Sequence, residues 1–135
     1  MSVPTIPQLQ QKLQYANSRV RFAWAKYYEA VQRDHRAAHA YHGTLVASAS
    51  EPSVPTHIKT ALTEMATALK KKYECPICME MIEPEHLSIT NCGHFYCDGC
   101  LSAMKAHARA ADPRASAKWE CAVCRRKHKI GEEDD

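Results

Sequence analysis

Apolar and small residues recur in the first third of the chain at Ile6, Leu9, Leu13, Ala16, Val20, Ala23, Tyr27, Ala30, Ala37 and Tyr41. The steps alternate between three and four and are interrupted only by Asp34. That period keeps one stripe on one side of an α-helix and, sustained over several turns, makes a heptad seam. From about Gln8 to His42 there is no Pro or Gly, and Ala, Gln, Arg and Lys are abundant, so a single long helix is expected over residues 1–42. The a-type positions are bulky, whereas the d-type positions after Leu9 are all Ala, which lets a partner helix approach closely. Lys12, Arg19, Lys26 and Arg33 fall at the g-type position. Gln10, Asn17, Trp24, Val31 and Ala38 fall at e, so no acid answers the cations. Two uses of the seam are expected: a homodimer, or packing of a second helix back along the first. Trp24 and Val31 widen the apolar face, which suits a hairpin or small bundle better than a two-stranded rod.

The segment "GTLVASASEPSVP", residues 43–55, gathers Gly, Ser and Pro and is expected to be a linker. After Thr56, a suitable N-cap, Ile58, Leu62, Met65 and Leu69 recur at helical spacing. Lysines close the last turn, so a second, shorter helix is expected over residues 56–72. Beyond Tyr73 the long period is lost. "HLSIT" and "KWEC" read as short strands, and "LSAMKAHARAA" as a helix stopped at Asp112-Pro113. Leu87, Ile89, Phe95 and Trp119 are the expected core of this third segment, residues 73–130.

A chain of 135 residues buries only a modest core, so metals or disulfides are expected to help. The N-terminal stretch "MSVPTIPQLQQKLQ" has no unbroken apolar run, and no stretch approaches the ~18 apolar residues needed to span a bilayer. A soluble intracellular protein, cytoplasmic or nuclear and without a membrane partner, is therefore expected. In such a reducing compartment seven cysteines, an odd number, argue for metal rather than disulfides. Residues 1–72 carry ten Lys or Arg against four acids, residues 73–130 eight against seven, and the tail 131–135 is acidic. The basic part lacks a recognised DNA-binding motif, so nucleic acid is not an expected partner.

The spacing of the thiols then carries the chemistry. Cys75 and Cys78 form one Cys-x2-Cys pair; Cys92, His94, Cys97 and Cys100 follow after thirteen residues; Cys121 and Cys124 follow after twenty more. A Cys-x2-Cys turn brings two thiolates to one side of a tight loop, from which both reach a tetrahedral zinc. Eight ligands make two closed sites with no position left for a reactive water, so two structural zinc ions are expected. Two independent zinc ribbons filled in sequence, and related fingers that combine the ligands in a different order, are the alternative groupings. His35 and His39 lie four apart on the first helix, but no further ligand joins them, and they read as a surface pair. His86, His107 and His128 also read as surface residues.

Over residues 73–130 this pattern resembles the RING finger family in its seven-cysteine, one-histidine form. The resemblance implies a small α+β zinc-stabilised domain, here preceded by an α-helical hairpin or coiled coil, with interleaved sites. Cys75, Cys78, Cys97 and Cys100 would hold the first zinc, and Cys92, His94, Cys121 and Cys124 the second. It further implies ubiquitin ligation, with a ubiquitin-conjugating enzyme, ubiquitin and a protein substrate as partners. Ile77, Met104, Ala122 and Val123 match the apolar groove that grips the conjugating enzyme, although the family commonly has Pro at the position of Ala122 and often Trp at that of Met104. Arg125, just after the last ligand, matches the catalytic cation that bridges the conjugating enzyme and ubiquitin. A non-catalytic zinc-stabilised module that only bridges partners is the alternative function. Arg125 also reads as one member of the solvated run "RRKHK" or as part of a weak nuclear signal.

Overall fold

The Thr5 hydroxyl accepts the Gln8 N–H, and the Gln8 side chain accepts the Thr5 N–H at 2.8 Å. This capping box starts a helix at Ile6 and tolerates Pro7 in the first turn, where a missing N–H has no partner to lose. In the computed structural model, which describes residues 3–130, that helix (α1, Ile6–Ala49) runs for 44 residues. It does not stop at His42 as expected. Gly43 stays helical because Leu45 is buried where α1 packs along the second helix (α2, Thr56–Lys72), and this burial offsets the ~1 kcal/mol that a mid-helix glycine costs. The linker expected over 43–55 therefore contracts to 50–55. Pro55 takes the cap position and Thr56 becomes the first helical residue. The acidic tail, 131–135, lies outside the described residues.

The cysteine-rich part contains a 3-10 turn at Pro84–His86 and two strands, β1 (Leu87–Ile89) and β2 (Phe95–Cys97). A third helix (α3, Asp98–Ala111) and two further strands, β3 (Lys118–Glu120) and β4 (Lys127–Lys129), complete it. The strands form two antiparallel pairs, with Ser88 opposite Tyr96 and Trp119 opposite His128. Cys75, Ile82, Leu87, Ile89, Tyr96, Leu101, Trp119 and Cys121 form the core, and Phe95 packs against it. β4 falls in the run expected to be a solvated edge. His128 is buried rather than at the surface because its ring stacks on Trp119, with centroids 4.7 Å apart.

The largest departure concerns α1. Its a/d seam is not buried within the chain: Ile6, Leu9, Leu13, Val20, Tyr27 and Tyr41 are all exposed. Packing instead uses the e and b positions, namely Trp24, Tyr28, Val31, His35, Ala38 and Leu45, about a third of a turn round the helix. His35 and His39 are thus not a surface pair. His35 is 1% exposed, edge-on to Tyr73 and Phe95 at 4.9 and 5.4 Å. His39 Nε2–H donates to the Ile82 carbonyl at 2.9 Å. Asp34, the break in the seam, accepts the Tyr73 hydroxyl at 2.8 Å.

Around β1, α1 acts as a clamp. Tyr28 donates its hydroxyl to Leu87 O at 2.7 Å, and Gln32 donates Nε2–H to Pro84 O at 2.8 Å. Together with His39, they satisfy carbonyls along the 82–87 segment, whose β1 strand pairs on its other side with β2. Among the described residues no helix is long and apolar enough to cross a membrane.

Candidate metal centres

The two Cys-x2-Cys turns are built alike. In the first, Cys75 N–H donates to Glu80 O and Met79 N–H to Cys75 O, at 2.8 and 2.9 Å; in the second, Cys121 N–H donates to Arg126 O and Arg125 N–H to Cys121 O, both at 2.9 Å. Each turn places the residue after its second cysteine in the left-handed region, Met79 at φ 62° and Arg125 at φ 65°. The ladder positions on either side then continue into the short antiparallel bridge of Glu74 with Met81 and into β3–β4.

These turns meet two other ligand pairs across the fold. The Sγ atoms of Cys75, Cys78, Cys97 and Cys100 lie within 4.8 Å of one another, and so do the ligand atoms of Cys92, His94, Cys121 and Cys124. The grouping is interleaved, as the resemblance implied, and not sequential. β2 and the start of α3 carry the second pair of the first set, while the 90–94 turn supplies Cys92 and His94 to the other. Cys78 and Cys97 sulfurs are 3.8 Å apart, which matches the edge of about 3.8 Å for a tetrahedron with zinc–sulfur bonds of about 2.3 Å. His94 Nδ1 lies 3.4 and 3.5 Å from the sulfurs of Cys92 and Cys121, against about 3.5 Å for a mixed sulfur–nitrogen edge.

Electrostatics point the same way. Burial alone pushes the Cys75 thiol up, but the backbone of Cys97, Cys78 and Ile77 and the Cys100 side chain bring it down to about 7. Burial pushes Cys121 up as well, and the Tyr96 hydroxyl with the backbone of Cys124 and Val123 outweighs it, leaving about 6. Their companions move the other way. Burial and the neighbouring thiols raise Cys100 to about 11 and also lift Cys97 and Cys92. One thiolate forms readily in each cluster and then opposes the next, a conflict that a bound dication removes. The two clusters fit two zinc ions, which would cross-link the fold and perform no step of chemistry.

Two hydroxyls that the cysteine spacing does not reveal brace the second cluster. Tyr96 is fully buried; its oxygen lies 3.0 Å from Cys121 Sγ and accepts the Ala122 N–H at 3.0 Å. Thr90, also fully buried, lies 2.9 Å from Cys92 Sγ and accepts the His94 N–H at 3.0 Å. Gly93, at φ 84°, closes this turn with its N–H on Thr90 O. Of the expected groove residues, Ile77, Ala122 and Val123 are exposed, and Met104 is half-buried against the core. Arg125 extends into solvent, with one guanidinium nitrogen 4.0 Å from Glu120. The hydrogen bonds from α1 go to the 82–87 segment, so α1 contacts a different part of the domain from these four groove residues.

Residues 74–128 match the zinc-RING finger domain family. Over 56 residues the chain is 45% identical to the E3 ubiquitin-protein ligase complex slx8-rfp subunit slx8 of Schizosaccharomyces pombe, a stretch covering 41% of this chain and 17% of that protein. The chain therefore spans less than a fifth of that relative's length. With two interleaved ligand sets at tetrahedral spacing, carried on paired turns around a shared core, residues 74–128 have the make-up of the RING finger domain that they match.

Proposed function

We propose that the chain is a RING-type ubiquitin ligase. In this reading Ile77, Met104, Ala122 and Val123 hold a ubiquitin-conjugating enzyme, and Arg125 bridges that enzyme and its ubiquitin so that a substrate lysine attacks the thioester. The observation that carries the reading is the second zinc turn. It presents Arg125 with a side chain 79% exposed, directly after the last ligand, on a backbone pinned by the Arg125 N–H to Cys121 O bond. A planar guanidinium with five donors bonds carbonyls on two proteins at once, and holding two tethered partners still lowers the entropic part of the barrier. The slx8 relative, named as a subunit of a ubiquitin ligase complex, supports the same reading. The protein supplies no nucleophile and works inside the cell, in cytoplasm or nucleus.

A second reading, a zinc-stabilised module that only bridges partners, draws on Ala122 and Met104, which are smaller or softer than the Pro and Trp common in the family. Single-turnover discharge of ubiquitin to free lysine, run beside a titration of the unloaded conjugating enzyme, separates the two. Ile77→Ala removes an aliphatic anchor from a small interface, costs about 1 to 2 kcal/mol and lowers occupancy roughly tenfold. Arg125→Gly keeps the left-handed backbone without strain, so it leaves folding and unloaded binding intact while discharge slows. If the parent protein accelerates discharge with no conjugating enzyme of a broad panel, the bridging reading replaces the ligase.

A further inference from the structure

We propose that the exposed seam of α1 from Ile6 to Tyr27 is a docking surface for an acidic amphipathic helix of a partner protein. The surface is large and unshared within the chain. Ile6, Leu9, Leu13, Val20 and Tyr27 expose between 43 and 71% of their area along some 32 Å of helix. A contiguous apolar stripe of this length, on a stretch of helix whose residues from 3 to 23 are all exposed, marks an interaction site.

The flank of the seam selects the partner. Lys12, Arg19 and Lys26 run along its g side, and residues 6–33 hold five cations against one acid, Glu29. Two of these cations are steadied by rings one turn earlier: Arg19 lies 5.8 Å from the centroid of Tyr15, and Lys26 lies 5.4 Å from that of Phe22. Lys26 also lies 3.8 Å from Glu29 at the surface. The opposite flank, at e, carries Gln10, Asn17 and Trp24 and offers these cations no acid.

A second copy of the chain fits poorly in either direction. Parallel pairing sets Ala16, Ala23 and Ala30 against themselves in successive d layers and buries little. Antiparallel pairing sets bulky a residues against those alanines, but it also brings the g rows of Lys12, Arg19 and Lys26 face to face, where like charges repel. A foreign helix with large side chains at d and acids on its flanks meets both demands. It fills the space over the alanines and neutralises the cation row. Where the seam reaches the RING finger, Val20, Trp24, Tyr28 and Asn91 line a groove of about 600 Å³, continuous with the seam, which receives the end of such a helix.

The proposal holds whether or not the RING finger accelerates ubiquitin transfer, and its test reads binding alone. The probes are a synthetic four-heptad peptide with Leu at a and d and Glu at e and g, and its twin with Lys at e and g. Both are titrated by calorimetry into the full zinc-loaded chain, with light scattering on the chain alone. The acidic peptide is expected to bind one to one, at least about tenfold tighter than the basic one, and to weaken as salt rises. Leu13→Asp should abolish binding, and the triple change Lys12→Glu, Arg19→Glu, Lys26→Glu should invert the preference, each with helix content and zinc content unchanged. Self-association of the chain that Leu13→Asp dissolves would make a second copy the occupant and overturn the proposal. So would equal binding of the two peptides, or binding of neither.

Discussion

At Tyr96 a single oxygen serves two neighbours, accepting the Ala122 N–H and hydrogen-bonding the Cys121 sulfur. It joins the second zinc cluster to the loop that carries Ala122 and Val123. Tyr96→Phe keeps the ring in the core and removes only that link, which is charge-assisted once Cys121 is a thiolate and worth about 1.5 to 3 kcal/mol. The second zinc of the variant is expected to bind roughly 10- to 100-fold more weakly, with the first unchanged, as read by stepwise competition with a chromogenic chelator. Equal retention of both ions would reject the role. At His35, burial holds the imidazole below its ordinary value of 6.5, partly offset by its bond to Val31 O and by Asp34; His39 adds a small downward push, and Tyr73 and Phe95 face it from the RING side. An undocked helix exposes His35, which then takes up a proton at higher pH than the docked form does. Docking is therefore fully stable above about pH 6.5 and weakens as pH falls from there toward the depressed value. Hydrogen exchange across residues 24–42 should accelerate over that window beyond its intrinsic pH dependence, and His35→Phe should flatten the response. The eight ligands were legible in the sequence because a zinc site needs two pairs at short covalent spacing. Tyr96 and Thr90 were not, because a buried tyrosine or threonine reads the same whether or not its hydroxyl meets a thiolate.

Two apolar stripes coexist on α1, and the more regular one is not the one the chain uses on itself. The a/d seam is spelled in Ile, Leu and Val over its first turns and stands out by period alone. The docking stripe runs through Trp24, Tyr28, Val31, His35, Ala38 and Leu45, where two polar-tipped rings, a histidine and an alanine hide its character. Hairpin packing was foreseeable from the length and pattern of the two helices, but the choice of face depends on carbonyls at Ile82, Pro84 and Leu87 that no pattern of side chains announces. The continuation through Gly43 was missed for a related reason, since local propensity yields to burial of Leu45 two residues later. Nothing lies within 4 Å of a Cβ placed on Gly43. Gly43→Ala should therefore raise stability by about 0.5 to 1 kcal/mol, whereas Gly93→Ala, at φ 84°, should lower it by about 1 kcal/mol or more. Denaturant titration of both variants checks the signs, and a destabilised Gly43→Ala would show that α1 is broken there.

For the molecule as a whole, dependence on metal is unevenly divided between the zinc-binding part and the α1–α2 hairpin. Cys75, Tyr96, Trp119 and Cys121 belong to one small core, and interleaved ligation makes each zinc close a loop through the other's site, so binding free energy becomes folding free energy. The α1–α2 hairpin buries Ala38, Leu45 and Ala66 without any metal ligand. A strong chelator should therefore unfold residues 73–130 and free the Trp24 to His39 stretch from its partners, while most of the helical circular dichroism persists. Metal analysis should return two zinc ions per folded chain; one or none would contradict the paired centres. α1 is unbroken between its free seam and its docked stripe, and 3.6 residues per turn couple the azimuth of one to the other. A single residue added between Val20 and Trp24 would advance the seam by only about 1.5 Å but swing it about 100° around the axis, and four added residues would bring it nearly back into phase. The helix thus behaves as an indexed shaft, in which chain length between those two residues sets the compass bearing of whatever the seam carries relative to the zinc centres.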